Sequence, residues 1–130
     1  MRHFPFVVLT GAVGIIACHP QQRGVANGSS VRNVITQDQI DAAGAASIYD
    51  VITRLHGEFL RDRGRTSIRT NRTARAIVFL NDQEYGIPET MRNIPPNRIA
   101  EIRYFSGTDA VTRYGAQYGG GVILLISRVE

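Results

Sequence analysis

The sequence has very little cysteine and no lysine. Its single cysteine, Cys18, cannot form an intramolecular disulfide and cannot build a zinc site by itself. All 15 basic residues are arginines, and against 11 acids they give a formal net charge of +4. This modest excess favours attraction to anionic surfaces without identifying one. A chain of 130 residues is at most one domain, and its 43% hydrophobic and 20% charged content excludes wholesale disorder.

Long hydrophobic runs are also missing, apart from one short run near the start. Residues 4–17 are largely apolar and follow Arg2. A membrane-spanning helix needs about 20 apolar residues and a signal-peptide core about 7–15, so residues 1–17 are predicted to be a signal peptide. The following stretch, residues 18–32, is polar and rich in glycine, which is typical of a flexible tether. We expect the folded domain to span residues 33–130.

The end of the apolar run resembles the lipobox of bacterial lipoproteins. The motif is Ile15-Ile16-Ala17-Cys18, with a small residue directly before the cysteine. The resemblance implies cleavage before Cys18, lipidation of its thiol and anchoring by acyl chains. Because His19 and not aspartate follows the cysteine, the resemblance favours the outer membrane. The alternative is that Cys18 is an incidental thiol beside an ordinary cleavage site.

The rest of the chain alternates short helices with short strands. Thr36 to Gln39 has the form of a capping box and predicts a helix over about 37–43. An amphipathic helix with a core-facing stripe is predicted from apolar residues at helical spacing, namely Ile48, Val51, Ile52, Leu55 and Phe59. Pro88 predicts helical turns over 88–93, and Ser106 begins another helix that ends near Tyr114.

Strands are predicted where β-branched and aromatic residues cluster. These are residues 66–69, 76–80, 83–87, 99–105 and 122–126, with a turn at Asn81-Asp82. The last is a continuous apolar run, the mark of a strand buried on both faces. The expected class is α+β, with a small mixed sheet and short helices.

Two segments in the C-terminal half resemble the plug domain of TonB-dependent outer-membrane receptors. The segment from Ile94 to Arg103 resembles the "I-P-x-x-x-I-x-x-I-x-V" strand entry, and the segment from Tyr114 to Arg128 resembles the "Y-G-x-x-x-x-x-G-V-I-x-I-x-T-K" plug terminus. Tyr114, Gly115 and Gly121 match fixed positions of that terminus. Gly115 is expected to close a helix, and glycines 119–121 to let the chain pass tightly.

Earlier segments extend the resemblance over about residues 33–128. Residues 33–40 resemble the plug opening, and residues 48–60 its following helix, although the usual proline is absent. Asn81-Asp82 stands where the family has an Asp-Gly hairpin turn. The resemblance implies a plug-like fold and an envelope location. The printed sequence stops two residues beyond the plug-like end, so we expect the domain to act without a barrel of its own and without active uptake.

Residues for catalysis are sparse. No two of His3, His19 and His56 have metal-ligand spacing, and His56 is expected to be a residue favoured by the helix macrodipole. No serine lies in a nucleophile-elbow pattern, and Asp82 with Glu84 is expected to be solvated on a hairpin. The glycine run does not open a helix after a strand as a phosphate loop would. We therefore expect no enzyme, no cofactor and no metal.

One charged constellation stands out in the sequence. Six arginines fall between residues 61 and 75, with only Asp62 opposing them: Arg61, Arg63, Arg65, Arg69, Arg72 and Arg75. They form either a solvated surface or a contact surface for the phosphates of lipopolysaccharide or for an acidic protein, because guanidinium groups bind such anions bidentately. Nucleic acid is not expected, since no aromatic residue interleaves the stretch.

These observations lead to two functional hypotheses. The first is a lipid-anchored cell-envelope binding module that docks to an outer-membrane barrel receptor, to a TonB-like protein or to an envelope transport complex. The second is a structural or sensory surface lipoprotein that contacts anionic glycolipid through residues 61–75.

Overall fold

A five-stranded mixed sheet forms the centre of the molecule. The computed structural model describes residues 32–62 and 75–129. The strands are β1 (Val34–Thr36), β2 (Ile77–Leu80), β3 (Gln83–Gly86), β4 (Ile99–Phe105) and β5 (Val122–Ser127), in the spatial order β1-β4-β5-β2-β3. Strands β2 and β5 are parallel, and the other neighbouring pairs are antiparallel. The α+β class with a small mixed sheet is thereby confirmed.

Among the described residues, three α-helices and four 3₁₀ turns surround this sheet. The helices are α1 (Gln37–Ala42), α2 (Ile48–His56) and α3 (Gly107–Tyr114), and the 3₁₀ segments are Gly57–Leu60, Pro88–Asn93, Pro96–Arg98 and Ala116–Tyr118. The predicted caps are present. The Thr36 amide donates to Gln39 Oε1 at 2.9 Å, and the side chains of Ser47 and Ser106 accept from the third amide beyond them.

The larger part of the core lies on one face of the sheet. The α2 residues Ile48, Val51 and Ile52 pack there with Met91 of the 3₁₀ segment Pro88–Asn93 and with alternate residues of β4 and β5. Ile102, Ile123 and Leu125 are fully buried in this layer. Burial of a large aliphatic side chain contributes about 1.5–3 kcal/mol, so this layer is the main source of stability.

The opposite face of the sheet is covered by α3 and the 3₁₀ segment Ala116–Tyr118. Phe79, Val122 and Leu124 are buried there beneath Ala110, and Tyr114 and Tyr118 pack against them. Consecutive residues of β5 therefore enter two different hydrophobic layers. This arrangement confirms the expectation of a strand buried on both faces.

The structure corrects one helix prediction. Helix α2 ends at His56, the chain continues as a 3₁₀ turn, and Leu55 is 40% exposed where the helical spacing assigned it to the core. Phe59 reaches the core from that turn and stacks on Tyr104 with ring centroids 4.4 Å apart. The strand predicted over residues 66–69 lies outside the described residues.

Candidate binding surfaces

Only the two ends of the arginine stretch are described. Arg61 is exposed after the 3₁₀ segment Gly57–Leu60, and Arg75 is half-buried just before β2. Arg63, Arg65, Arg69 and Arg72 lie outside the described residues, as does Cys18. The predictions of lipidation at Cys18 and of a continuous arginine surface therefore stay predictions.

Arg75 is bound to an acid on the 3₁₀ segment Pro88–Asn93. One of its terminal guanidinium nitrogens donates to Glu89 Oε1 at 2.5 Å. The backbone amide of Glu89 and the Arg75 guanidinium hold the pKa of the Glu89 carboxyl below its usual range. The last arginine of the stretch is thus fixed to the folded domain.

A second arginine on the same 3₁₀ segment is held by an aromatic ring. The guanidinium carbon of Arg92 lies 3.9 Å from the centroid of the Tyr49 ring on α2. A stacked guanidinium keeps its in-plane N–H donors available for carboxylate or phosphate. Arg92 is exposed.

Two apolar side chains are exposed on β3 and directly after it. Tyr85 on β3 is 43% exposed, and Ile87, directly after β3, is 54% exposed. Because β2 and β3 are antiparallel and Val78 pairs with Gly86, the end of β3 lies beside the beginning of β2. Ile87 therefore lies at the same end of the hairpin as Arg75.

The hairpin turn forms as predicted. Asn81 and Asp82 both adopt positive φ, 48° and 67°, which is the pairing of a type I′ turn between two strands. Asparagine and aspartate tolerate this region better than other non-glycine residues, so the pair can replace Asp-Gly. Asp82 and Glu84 are exposed as expected, and Glu84 accepts a 2.7 Å hydrogen bond from the Tyr118 hydroxyl.

Tyr114 ends α3 within a group of aromatic rings. Its ring lies 4.8 Å from Phe79 and 5.7 Å from Phe105, measured between centroids. Burial raises the pKa of its phenol, against a smaller opposing effect of the Arg113 guanidinium. Its contacts with strand residues show that it fixes α3 to the sheet.

Gly115 and Gly121 both adopt backbone conformations that disfavour other residues. Gly115 has φ 111° directly after α3, and Gly121 has φ 103° before β5. A Cβ on Gly121 would also lie 2.9 Å from the Phe105 carbonyl oxygen. The predicted tight passage of the chain at this point is present.

A shallow depression lies at the start of α3. Ser106, Gly107, Thr108, Val111, Thr112 and Gly119 line it. Two of its hydroxyl groups form local hydrogen bonds, since Ser106 Oγ donates to Asp109 and Thr112 Oγ1 donates to the Thr108 carbonyl. The depression offers no charged side chain that would define a ligand.

A stack of three rings links α2 to the sheet. His56 lies parallel to Phe59 with centroids 4.7 Å apart, and Phe59 lies parallel to Tyr104. His56 Nδ1 lies 2.8 Å from Glu58 Oε1, and this hydrogen bond is the main cause of the lowered pKa of Glu58. His56 stands in the last turn of α2, the position predicted for it.

Within residues 32–62 and 75–129, no group of three or more histidine, cysteine or acidic side chains could hold a metal ion. In the same ranges, no helix has the length and apolarity needed to span a bilayer. Comparison with family models, with curated proteins and with solved structures found no match for this chain.

Sequence reasoning missed two features of these surfaces. The strand predicted over residues 83–87 contains Tyr85 and Ile87 but does not indicate that both are exposed; the only signal in the sequence is an apolar residue directly before Pro88. The Arg92–Tyr49 contact joins segments far apart in the chain and left no signal in the sequence.

Proposed function

We propose that this protein is a lipid-anchored binding module of the cell envelope, with a domain like the plug of TonB-dependent receptors. It docks to an outer-membrane barrel receptor or to an envelope transport complex. The observation that carries the proposal is the sequence Ile15-Ile16-Ala17-Cys18 ahead of a glycine-rich stretch and a folded α+β domain. A thiol at that position is the attachment point for acyl chains, and several chains make the attachment durable.

The pairing of the two plug-like segments supports this proposal. The segment that resembles the strand entry contains β4, and the segment that resembles the plug terminus contains β5. These strands are antiparallel neighbours, with Ile102 opposite Leu125 and Phe105 opposite Val122. The residues that carry the resemblance therefore belong to one structural unit.

The anchor is tested by intact mass of the protein from fractionated membranes, with Cys18→Ala as the comparison. We expect a lipid-sized mass increment in the outer-membrane fraction that is lost in the variant. An unlipidated wild-type protein in the soluble fraction would contradict the anchored module.

The docking partner is tested by cross-linking in intact envelopes. Photoreactive residues at exposed positions of the folded domain, such as Leu55 and Val111, are compared with one at buried Val51. We expect a barrel receptor or a transport component to be cross-linked from an exposed position and not from the buried one. Recovery of lipid adducts alone would exclude protein docking.

The second candidate function is contact with anionic glycolipid through Arg61 to Arg75. The exposure of Arg61 favours it, since its guanidinium is open to solvent. Four Arg→Gln replacements, at Arg63, Arg65, Arg69 and Arg72, leave the Arg75–Glu89 ion pair in place. If this candidate function is correct, the four replacements abolish binding to lipopolysaccharide. Unchanged binding would exclude this function.

A further inference from the structure

We propose that the end of the β2–β3 hairpin rests on an anionic lipid surface, with Tyr85 and Ile87 entering the interface and Arg75 and Arg92 facing lipid phosphates. We call these four residues the hairpin-end surface. The inference rests on the proposed lipid anchor, because the anchor holds the domain beside a membrane. It extends the proposed function by naming the surface of the domain that contacts the membrane and the class of lipid that this surface binds.

Exposure is the first observation behind the proposal. Five large hydrophobic residues are exposed among the described residues, namely Leu55, Tyr85, Ile87, Val111 and Val129. Of these, Tyr85 and Ile87 are separated by a single residue. Exposed apolar residues that cluster mark interaction sites more often than isolated ones do. Tyrosine beside an aliphatic residue suits the boundary between headgroups and acyl chains.

Charge is the second observation. Arg75 lies at the same end of the hairpin, and its ion pair with Glu89 brings it to the 3₁₀ segment that begins directly after Ile87. Arg92 lies on that segment with its guanidinium stacked on Tyr49. Two arginines against one acid leave a net positive charge beside the apolar pair. An anionic lipid surface attracts such a charge with about 1 kcal/mol per arginine.

The acidic residues of the hairpin do not oppose this contact. Glu84 accepts a hydrogen bond from Tyr118, which packs on the α3 face of the sheet. Tyr85 has no residue of β2 opposite it at the irregular register between Val78 and Phe79. Gly86 beyond it pairs with Val78, whose side chain lies in the same hydrophobic layer as Met91 of the 3₁₀ segment Pro88–Asn93. Asp82 stands in the turn at the other end of the hairpin.

A protein partner at the same surface is less favoured. Strand β3 has only four residues and its register with β2 is irregular between Val78 and Phe79. Short, irregular edge strands are a common means of preventing pairing with another chain. Binding to a lipid surface does not require strand pairing. It requires exposed apolar side chains, here Tyr85 and Ile87, with cationic side chains near them.

The test uses the absence of tryptophan from the sequence. The mature anchored protein, with Ile87→Trp or Tyr85→Trp, is reconstituted into vesicles of phosphatidylethanolamine and phosphatidylglycerol that contain brominated acyl chains. Val111→Trp is the matched control, because Val111 is also partly exposed but lies on α3 across the sheet. All three variants share one anchor, so differences in quenching report the orientation of the folded domain.

We expect quenching and a blue-shifted emission at positions 85 and 87 and not at 111. Arg92→Gln in the Ile87→Trp background should lower the ratio of contacting to free orientations about fivefold. Arg113→Gln is its control, since Arg113 is also an exposed arginine near an aromatic ring, Phe105, on the other face. It should leave the quenching unchanged.

Three results would overturn the inference. The first is equal quenching, or none, at positions 87 and 111. The second is quenching at position 87 that is the same in vesicles of phosphatidylcholine alone and insensitive to Arg92→Gln. A blue shift at position 87 in native envelopes without quenching by brominated lipid would assign the surface to a protein and likewise overturn it. Intact mass of the same preparation reports the lipid on Cys18, so failure of the proposed anchor is distinguished from failure of this contact.

Discussion

Asn81 in the hairpin turn is joined to Ser127, the last residue of β5, by two hydrogen bonds. The Asn81 side-chain amide donates to Ser127 Oγ at 2.8 Å, and the Ser127 backbone amide donates to Asn81 Oδ1 at 2.9 Å. The Asn81 backbone amide also donates to the Leu125 carbonyl at 2.9 Å. One side chain thus fixes the β2–β3 turn to the neighbouring parallel strand.

Replacement of Asn81 separates its backbone role from its side-chain role. Asn81→Gly keeps the positive φ and loses both side-chain hydrogen bonds, so we expect a loss of about 1 kcal/mol in the free energy of unfolding. Asn81→Ala also strains the left-handed backbone and should lose about 2 kcal/mol. Urea unfolding measures both, and an alanine variant as stable as the glycine variant would contradict the role of the positive φ.

Gly107 is required by a close approach between two segments. A Cβ on Gly107 would lie 2.2 Å from the carbonyl oxygen of Gly119, so the backbone must move to admit any side chain. Gly107→Ala is expected to lower the free energy of unfolding by about 1–3 kcal/mol. Gly57→Ala is the control, because Gly57 has φ −56° and open space around its Cβ position. It should stabilise by about 0.4–1 kcal/mol, and equal effects at the two glycines would contradict this account.

The ring stack at Phe59 should matter far more than the neighbouring exposed leucine. Phe59 is 3% exposed and is stacked between His56 and Tyr104. We expect Phe59→Ala to cost about 3–5 kcal/mol and Leu55→Ala no more than about 0.5 kcal/mol. Thermal and urea unfolding compare the two variants. Similar losses would mean that Leu55 contributes to the core, as the helical spacing first indicated.

The Arg75–Glu89 ion pair should give the protein an acid-sensitive component of stability. The pKa of Glu89 is lower in the folded protein than its ordinary value of 4.5. A depressed folded pKa stabilises the protein above the unfolded pKa, and this contribution is lost as the pH falls through the folded value.

Urea unfolding between pH 7 and pH 3 measures this component. Below pH 4.5 the unfolding free energy should fall less steeply in Glu89→Gln than in the wild type. The steepness of this fall in Arg75→Gln should lie between those of the wild type and Glu89→Gln, because this variant keeps the backbone amide that also lowers the pKa of Glu89. The same pH dependence in all three proteins would show that this carboxyl contributes nothing to acid stability.

Local sequence signals were sufficient for most of the secondary structure. Residues 99–105 and the helix from Ser106 to Tyr114 form as predicted, because alternation, a serine cap and a terminal glycine act within a few residues. The turn at Asn81-Asp82 follows in the same way from tolerance of positive φ. These features depend on neighbours in the chain.

The sequence by itself determined the α+β class, the caps, the turn and the motif at Cys18. Tertiary structure decided the parallel pairing of β2 with β5, the exposure of Leu55 and the stacking of Arg92 on Tyr49. Each of these features depends on how segments that are distant in the chain pack together. Local propensities do not determine which apolar side chains become buried against such a distant segment and which stay exposed. The same reason explains why Tyr85 and Ile87 became candidates for a membrane contact only when their exposure beside Arg75 was known.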